Sequence, residues 1–247
     1  MVDAATLTER RVDGLRFLVD DGALARGVMV AFADRNGGVG PPPFDSLNVS
    51  VSVGDREHAD TNRARIAAAL GFDAGRLAQV RQVHGATVLD APAGCSGVQG
   101  EGDGLVATDP GVVLGILTAD CVPVLLEGER GVAALHAGWR GLVAGVLDRG
   151  VEKVGPVRAA WVGPSIHACC YEVGEDVTGA FRRAGLPVAD ERHVDPGDAA
   201  RAALQRCGVG NVAVASDCTS CDRNYFSYRR DGITGRQGSF IALLEHP

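Results

Sequence analysis

The chain has 247 residues, of which 46% are hydrophobic and 5% aromatic, and its formal net charge is −7. This length suffices for one large core or at most two small ones. The acidic balance, without a basic stripe that carries interleaved aromatics, argues against a general nucleic-acid binder. No apolar run approaches the ~20 residues that span a bilayer, and no charged-then-apolar leader opens the sequence. We therefore expect a small-molecule partner, no nucleic acid, no membrane and a cytoplasmic location.

The first predicted strand covers residues 27–33, so that about residues 1–26 form an N-terminal extension. A proline-rich loop follows, and residues 47–53 alternate apolar and polar side chains like a half-buried strand. The apolar spacing of residues 57–70 indicates a helix, which Gly71 ends.

A strand-rich segment at residues 77–88 is interrupted by His84 and Gly85. A histidine at such a break lies at the edge of a sheet, where its imidazole can face a ligand. The alternative is a histidine that is hydrogen-bonded within the fold.

The segments 122–127 and 132–136 are predicted to pair as a β-hairpin. The turn between them places Cys121 opposite about position 136 or 137, next to His136. A thiolate is both a soft metal ligand and a nucleophile, and an imidazole is either a ligand or the base that activates a nucleophile. Two chemistries therefore remain open for this pair.

The rest of the chain alternates irregularly between helices and strands. Helices are predicted over 142–154, 175–184 and 196–207, and strands over 159–162, 211–215 and 239–244. No repeat or linker divides the chain, and no G-x-G-x-x-G turn of a dinucleotide fold is present. The sequence therefore predicts an α+β single domain over 1–247, in which layered mixed β-sheets are flanked by helices.

The seven cysteines are an odd number, which favours thiols, metal ligands or catalysis over a disulfide framework. Cys218 and Cys221 form half a zinc knuckle, but the sequence offers no second pair at matching spacing. A pair of semi-buried small residues is the simpler interpretation. The adjacent Cys169 and Cys170 are expected to pack or to line a pocket.

Five blocks of sequence occur in order between about residues 27 and 244. They are RQVHG (81–85), TADC (118–121), LHAGWRG (135–141), GPSI (163–166) with YEVG (171–174), and FSYRRD (226–231) with GRQ (235–237). These blocks resemble the YfiH-type purine nucleoside phosphorylases, long described as polyphenol oxidases or bacterial laccases. The resemblance implies an α+β fold shared with the deamidase domains of cytotoxic necrotising toxins.

The resemblance also implies a zinc site made by His84, Cys121 and His136, with copper a less consistent choice. The implied reactions are phosphorolysis of adenosine, inosine, guanosine and methylthioadenosine to free base and ribose 1-phosphate, together with adenosine deamination. Two imidazoles and one thiolate leave zinc a fourth position, which is the arrangement of catalytic zinc sites. The expected partners are a purine nucleoside and phosphate, and the expected state is a monomer or weak homo-oligomer.

Phosphorolysis requires cations for the phosphate, and the candidates are Arg140, Arg229 and Arg230. For each arginine the alternative is a structural ion pair or capping contact. Asp103 is a candidate for proton transfer or for orienting a catalytic group. Asn48 is a candidate for contact with polar groups of the substrate, and a turn-stabilising asparagine is its alternative.

Three other functions are weighed against the zinc phosphorylase. A metal-free hydrolase would use Cys121 as nucleophile and His136 as base, and peptidoglycan precursors are a possible substrate because some family members are linked to their editing. A copper polyphenol oxidase is weaker, because multi-copper clusters require many more ligands than six scattered histidines. A nonenzymatic scaffold would tolerate the loss of Cys121 without any loss of turnover.

Overall fold

Two mixed β-sheets packed against each other form the centre of the structure, a computed structural model that describes residues 4–245. The strands are β1 Thr8–Val12, β2 Leu15–Val19, β3 Val28–Ala33, β4 Leu77–Arg81, β5 Val88–Asp90, β6 Gly97–Glu101, β7 Gly104–Ala107, β8 Val113–Thr118, β9 Val122–Gly128, β10 Gly131–Ala137, β11 Val157–Val162, β12 Val212–Val214 and β13 Gln237–Leu243. The helices are α1 Asp21–Ala25, α2 Arg56–Leu70, α3 Trp139–Val143, α4 Val146–Val154, α5 Glu175–Arg183, α6 Pro196–Arg206 and α7 Tyr228–Asp231, with one 3-10 turn at Ala74–Arg76.

Each sheet joins strands that are distant in the sequence. Within the described residues, the first sheet has the order β1-β2-β3-β13-β8-β4-β6 and the second the order β12-β11-β9-β10-β7-β5. Most neighbours are antiparallel, whereas β4 runs parallel to β6 and β8, β5 to β7, and β11 to β12. Both sheets are therefore mixed, as predicted.

Helices cover the outer face of each sheet. Ile66 of α2 packs with side chains of the first sheet such as Phe17 and Phe240. On the other side, α3 to α6 bury residues such as Leu147 and Leu204 against the second sheet. The layers thus run helix, sheet, sheet, helices, and side chains on both faces of each sheet are buried between layers. The predicted α+β class is confirmed.

The hairpin of β9 and β10 lies in the middle of the second sheet, and nearly every residue in it is buried. Alternate side chains pack into two different hydrophobic cores, because successive residues of a strand point to opposite faces of the sheet. Leu135 faces the helices, while Ala134 and Leu125 face the first sheet. This double burial explains the nearly continuous apolar sequence of both strands.

The predicted helix over 57–70 is confirmed, and it begins at Arg56 with Asp55 as its N-cap and ends at Gly71, whose φ is +76°. The predicted helix over 142–154 is divided into α3 and α4. Gly145, at φ +79°, separates the two pieces because this backbone conformation cannot continue a helix.

One expectation for the first third of the chain is wrong. No strand forms at residues 47–53, because the Asn48 side chain bonds to the backbone of Ser50 and Val53 and folds the segment into turns. The N-terminal extension of about residues 1–26, for which the sequence analysis predicted no particular element, contains β1, β2 and α1. The predicted domain range 1–247 runs past the described residues at both ends, and its limits stay a prediction.

The longest helix in the described part of the chain has 15 residues. None of the helices there combines the length and apolar character that a bilayer crossing requires.

Candidate metal centre and its pocket

Three chain segments bring His84, Cys121 and His136 together, as the resemblance implies. One ligand atom from each lies within 4.8 Å of the others. The Cys121 Sγ is 3.9 Å from His84 Nε2, and the two imidazole rings meet edge to face with their centroids 4.8 Å apart. His136 is buried, Cys121 is half-buried and His84 is exposed, so the cluster opens to solvent on the His84 side.

Unusual backbone conformations aim two of these side chains. His84 follows β4 with φ +60°, and Asp120, which precedes Cys121, has φ +91°. Such angles are uncommon outside glycine and need external support. Asp120 receives it from the Thr219 hydroxyl at 2.7 Å and the Arg229 backbone N–H at 2.7 Å, both of which donate to its carboxylate.

The hairpin is confirmed, but its predicted register is wrong. Val122 pairs with Ala137 and Pro123 with His136, so Cys121 lies beyond the last pair instead of opposite position 136 or 137. The turn itself lies where it was expected, between the paired Gly128 and Gly131, and continuing the pairing would set Cys121 opposite Gly138, one position past the expected range. The proximity of Cys121 to His136 therefore depends on the turn at Asp120 as well as on the pairing.

Gly138 continues β10 directly beneath the cluster. A Cβ at this position would lie 2.9 Å from His84 Cδ2, 3.4 Å from Cys121 Sγ and 3.7 Å from His136 Cε1. The missing side chain thus leaves the space in which the three ligands meet.

Asp103 holds two of the ligands from behind. Its Oδ1 lies 2.8 Å from His136 Nδ1 and accepts a hydrogen bond from the backbone N–H of His84 at 2.8 Å, while Oδ2 accepts from Gly85 N at 2.6 Å. A proton on Nδ1 leaves Nε2 of His136 as the ligand atom, and such partners of metal-bound histidines fix the ring orientation. Asp103 is fully buried, so the geometry matches the orienting role proposed for it.

The thiol and the imidazole shift each other's pKa. Burial raises the pKa of Cys121, but the charge of His136 and hydrogen bonds from His136 and His84 lower it to about 6. Burial lowers the pKa of His136, but the Cys121 thiolate and Asp103 raise it to about 9. Burial likewise raises the pKa of Asp103, and the His136 and backbone donors bring it below its usual value. Without a metal these shifts favour a thiolate beside an imidazolium, the pair of a cysteine nucleophile, and a metal ion would have to displace the proton from Nε2 of His136 because only a neutral imidazole coordinates a metal.

A cavity of about 690 Å³ opens above the cluster, a size within the ~300–1,000 Å³ typical of small-molecule sites. Its apolar and aromatic walls include Val51, Val53, Val80, Leu117, Ile166, Trp139, Tyr171 and Tyr228. Its arginines are Arg63, Arg81, Arg140, Arg229 and Arg236. The cavity thus offers an apolar surface and several cations around one candidate metal centre.

The three predicted arginines differ in their surroundings. Arg140 lines the cavity, with its guanidinium 4.4 Å from the Trp139 ring centre. Arg229 also lines it, although its Nη1 donates to the carbonyl oxygens of Cys170 at 3.2 Å and Glu172 at 2.9 Å. Both guanidinium groups therefore border the cavity.

Arg230 points away from the cavity. Its guanidinium donates to the carbonyl oxygens of Thr219 at 2.8 Å and Tyr225 at 2.7 Å and pairs with the Asp231 carboxylate at 2.8 Å. These contacts agree with the alternative given above for Arg230, a structural ion pair and capping contact.

Asn48 is buried, and its side chain is occupied inside the fold. The amide donates to the carbonyl oxygens of Ser50 and Val53, and Oδ1 accepts from the backbone N–H groups of Ser50 and Arg236. The turn-stabilising alternative therefore describes Asn48 better than contact with a substrate.

Sequence reasoning missed several residues of the cavity, among them Arg63, Tyr171 and Arg236. Arg236 and Arg63 line it, and Arg236 donates from Nη1 to the carbonyl oxygens of Thr234 and Gly235. Tyr171 lies under the Arg229 guanidinium, and burial, with the negative charge of Cys121, raises its pKa to about 12. Arg236 and Tyr171 occur in the blocks of sequence that carry the family resemblance, but nothing in their spacing indicated a cavity.

Comparisons with known proteins agree with the resemblance. A protein-family model described as multi-copper polyphenol oxidoreductase laccase matches residues 29–244. A protein of Deinococcus radiodurans named purine nucleoside phosphorylase is 44% identical over 227 residues, which cover 86% of this chain and 88% of that protein. The Escherichia coli purine nucleoside phosphorylase YfiH is 38% identical over 237 residues, 89% of this chain and 95% of that protein. The crystal structure of the Bacillus licheniformis hypothetical protein YfiH superposes with a TM-score of 0.85 at 29% identity, covering 95% of this chain and 98% of that one.

Proposed function

The chain belongs to the YfiH family, whose model is described as multi-copper polyphenol oxidoreductase laccase, and from this membership we propose a zinc-dependent purine nucleoside phosphorylase that also deaminates adenosine. The family predicted from the sequence is thereby confirmed. The names of the curated homologues support a nucleoside-processing enzyme. The metal, the substrates and the second reaction are our proposal.

One observation carries this proposal: two imidazoles and one thiolate meet at the base of a cavity that is bordered by arginines. Zinc accepts this donor set and retains an open coordination position when only three protein ligands are present. Gly138 leaves room beside the ligand atoms of His84, Cys121 and His136. The residues present therefore fit a catalytic zinc ion.

The donor set also weighs against a multi-copper oxidase. Such enzymes need clusters rich in histidine, and the chain has six histidines. Of the described ones, His58, His167 and His193 lie outside the cluster of His84, Cys121 and His136. His246 lies outside the described residues.

A zinc ion held by His84, Cys121 and His136 would supply Lewis acidity and lower the pKa of water toward about 7, the chemistry required for replacing the amino group at purine C6. Asp103 keeps the proton on Nδ1 of His136, so that Nε2 faces the site. The apolar walls exclude water from around the purine.

Phosphorolysis needs different groups from the same cavity. Arg140, Arg229 and Arg236 would bind phosphate, whose oxygen attacks C1′ of the ribose while the bond from C1′ to the purine nitrogen breaks. The bonding electrons leave with the purine, which takes up a proton, and ribose 1-phosphate remains. Tyr171 stays protonated because its pKa is raised to about 12, and its hydroxyl is available to donate a hydrogen bond to the departing base.

The test measures products of adenosine by chromatography, with and without phosphate. Wild type should form adenine only with phosphate and inosine in either buffer, and Cys121→Ala should form neither. Cys207→Ser, a cysteine change outside the cluster of His84, Cys121 and His136, should behave like wild type. Folded, zinc-loaded wild type that turns over no nucleoside would refute the proposal.

A metal-free hydrolase is the second candidate, because Asp103, His136 and Cys121 form a carboxylate, imidazole and thiolate series. Activity of chelator-treated protein on amide or ester substrates, lost in Cys121→Ala, would favour it. The substrate of that alternative, the cytoplasmic location and the monomeric or weakly associated state stay predictions.

A further inference from the structure

Four of the seven cysteines converge on a second point of the surface, outside the site described above. The sulfur of Cys169 lies 3.8 Å from that of Cys170, 3.7 Å from that of Cys218 and 3.6 Å from that of Cys221. The sulfurs of Cys170 and Cys221 are 3.2 Å apart. All four sulfurs lie within 4.8 Å of one another, and the four residues are free cysteines.

These separations describe a compact tetrahedron. Zinc–sulfur bonds of about 2.3 Å place tetrahedral thiolates roughly 3.8 Å apart. We propose that Cys169, Cys170, Cys218 and Cys221 bind a second zinc ion through four thiolates. Four protein ligands close the coordination shell, so this ion has a structural function and no open position for a substrate.

The fold supplies the ligand pair that the sequence did not show. Cys218 and Cys221 are the two ends of a C-x-x-C turn, in which the backbone N–H groups of Cys221 and Asp222 donate to the carbonyl of Cys218 at 3.1 and 2.8 Å. The second pair comes from the Cys169-Cys170 turn. A bridge between Ser165 and Cys218 brings the two segments side by side.

The surroundings suit a negatively charged metal site. Each thiol gives up its proton to solvent as the sulfur binds zinc, and four thiolates with one Zn²⁺ retain excess negative charge. The backbone N–H of His167 donates to the Cys218 sulfur at 3.4 Å. The Arg230 guanidinium donates to the carbonyl oxygens of Thr219 and Ser220 within the C-x-x-C turn, and Arg229 donates to that of Cys170. Two positive side chains thus flank the four sulfurs.

The ligand chemistry selects a soft cation. All four donors are thiolates, which disfavours magnesium and calcium because these ions take oxygen ligands. Zinc with four cysteines is a common structural site in proteins.

Such an ion would connect the second site to the first. Cys170 precedes Tyr171 and holds Arg229 through its carbonyl, while Thr219 supports the carboxylate of Asp120 beside Cys121. A zinc ion here joins the two turns that carry these contacts. Its position predicts that it stabilises one wall of the cavity without taking part in the reaction.

The test counts zinc in Cys121→Ala, from which a ligand of the first site has been removed. Protein purified with a thiol reductant and loaded with zinc, then desalted, should retain one zinc per chain by mass spectrometry. X-ray absorption should report a shell of sulfur ligands at about 2.3 Å with no nitrogen. This result does not depend on whether the first site processes nucleosides.

Two further variants in the same background complete the test. Cys121→Ala/Cys221→Ser should lose the remaining zinc. Because Cys221 is exposed, its replacement does not disturb the core, and the loss of zinc would be due to the missing thiolate. Cys121→Ala/Cys207→Ser should retain it. Cobalt(II) in place of zinc should show the intense sulfur-to-metal absorption of a four-thiolate site only in the proteins that retain Cys221.

Several results would overturn the proposal. They are absence of zinc from folded Cys121→Ala, nitrogen or oxygen ligands in its absorption spectrum, and retention of zinc after Cys221→Ser. A disulfide among these cysteines in protein purified with reductant would also overturn it. Should Cys221→Ser fail to fold, the zinc count and absorption spectrum of Cys121→Ala still decide the matter.

Discussion

Asp103 contacts two of the three candidate metal ligands, His84 and His136. One buried carboxylate sets the ring of His136 and the backbone of His84. Its side chain is fully enclosed, so direct contact with a nucleoside would require the fold to open. Orientation therefore explains its position better than proton transfer to a substrate does, and its catalytic role stays a prediction.

Gly138→Ala should disrupt the metal centre while leaving the fold intact. The backbone at Gly138 has φ −66° and ψ 162°, which alanine adopts without strain, but the added Cβ would come within 2.9 Å of the His84 ring. We expect the affinity for zinc to fall at least about tenfold. Loss of a hydrogen-bond partner of a metal ligand already lowers metal affinity about 10–100-fold, and displacement of the His84 ring itself should cost no less. A chelator competition titration measures this effect.

Gly210→Ala is the matched control, because a Cβ there meets no atom within 4 Å. Unchanged zinc affinity in Gly138→Ala, with an unchanged melting temperature, would contradict the steric explanation.

Arg140→Ala and Arg230→Ala should separate phosphate binding from structural support. Loss of a charge-assisted hydrogen bond costs about 1.5–3 kcal/mol, so Arg140→Ala should raise the KM for phosphate roughly 10–100-fold with little change in melting temperature. Arg230→Ala should lower the melting temperature by several degrees, because it leaves the carbonyl oxygens of Thr219 and Tyr225 without their donor. Steady-state kinetics and thermal unfolding of both variants measure the difference. A raised KM for phosphate in Arg230→Ala, with a lowered melting temperature in Arg140→Ala, would instead show that Arg230 contacts the anion.

At the scale of elements, strand ends and turns assemble the first site. His136 is in β10, Cys121 immediately precedes β9 and His84 follows β4 of the other sheet. The two sheets pack against each other, and the ligands therefore meet only when both sheets have formed. The cysteine turns are a second such junction between distant segments.

The turns with Cys169-Cys170 and Cys218-Cys221 should depend on zinc for their stability. Ligand linkage contributes about 2.7 kcal/mol when free zinc exceeds its Kd by about 100-fold, which corresponds to roughly 5–10 °C in melting temperature. Zinc should therefore raise the melting temperature of Cys121→Ala by this amount. Calorimetry on Cys121→Ala/Cys221→Ser should show no such shift, and an equal shift in both proteins would assign the stabilisation to another site.

At the scale of the whole molecule, the N-terminal segment belongs to the core. β1 and β2 extend the first sheet, and the Asp20 carboxylate accepts hydrogen bonds from Thr6 N at 2.8 Å, Ala23 N at 2.9 Å and the Trp161 indole at 2.9 Å. Trp161 lies in β11 of the second sheet and is fully buried. A single carboxylate thus joins the segment before β3 to the opposite layer.

Asp20→Ala should destabilise the protein by about 1–3 kcal/mol, because it leaves the buried Trp161 N–H without an acceptor. Burial raises the pKa of Asp20, but its N–H donors bring it below the usual value. A carboxylate with a lowered pKa stabilises the fold above its unfolded pKa of ~4, and this contribution is lost as the pH falls through the folded pKa. The stability difference from wild type should therefore be full at pH 7 and shrink in acid, as measured by denaturant unfolding.

Asp21→Ala is the neighbouring control, because Asp21 is exposed and pairs only with the surface Arg10 among the described residues. A loss of stability in Asp21→Ala equal to that in Asp20→Ala would contradict the assignment to the buried carboxylate.

The amino-acid sequence by itself determined those structural features that depend only on residues close together in the chain. The helix that Gly71 ends and the hairpin of β9 and β10 both follow from local signals of capping, turns and burial. The family and its implied ligands His84, Cys121 and His136 also came from short blocks of sequence.

Only the tertiary structure decided which distant groups share one environment. In the folded chain, the side chains of Asn48 and Arg230 donate hydrogen bonds to backbone carbonyl oxygens, and Arg236 lines the cavity. Cys169 and Cys170 lie beside Cys218 and Cys221. The physical reason is that sheet order and layer packing bring together segments of chain that are far apart in sequence, and no local pattern encodes those distances. The residue types indicated the available chemistry, and the packing of the two sheets selected the atoms that take part in it.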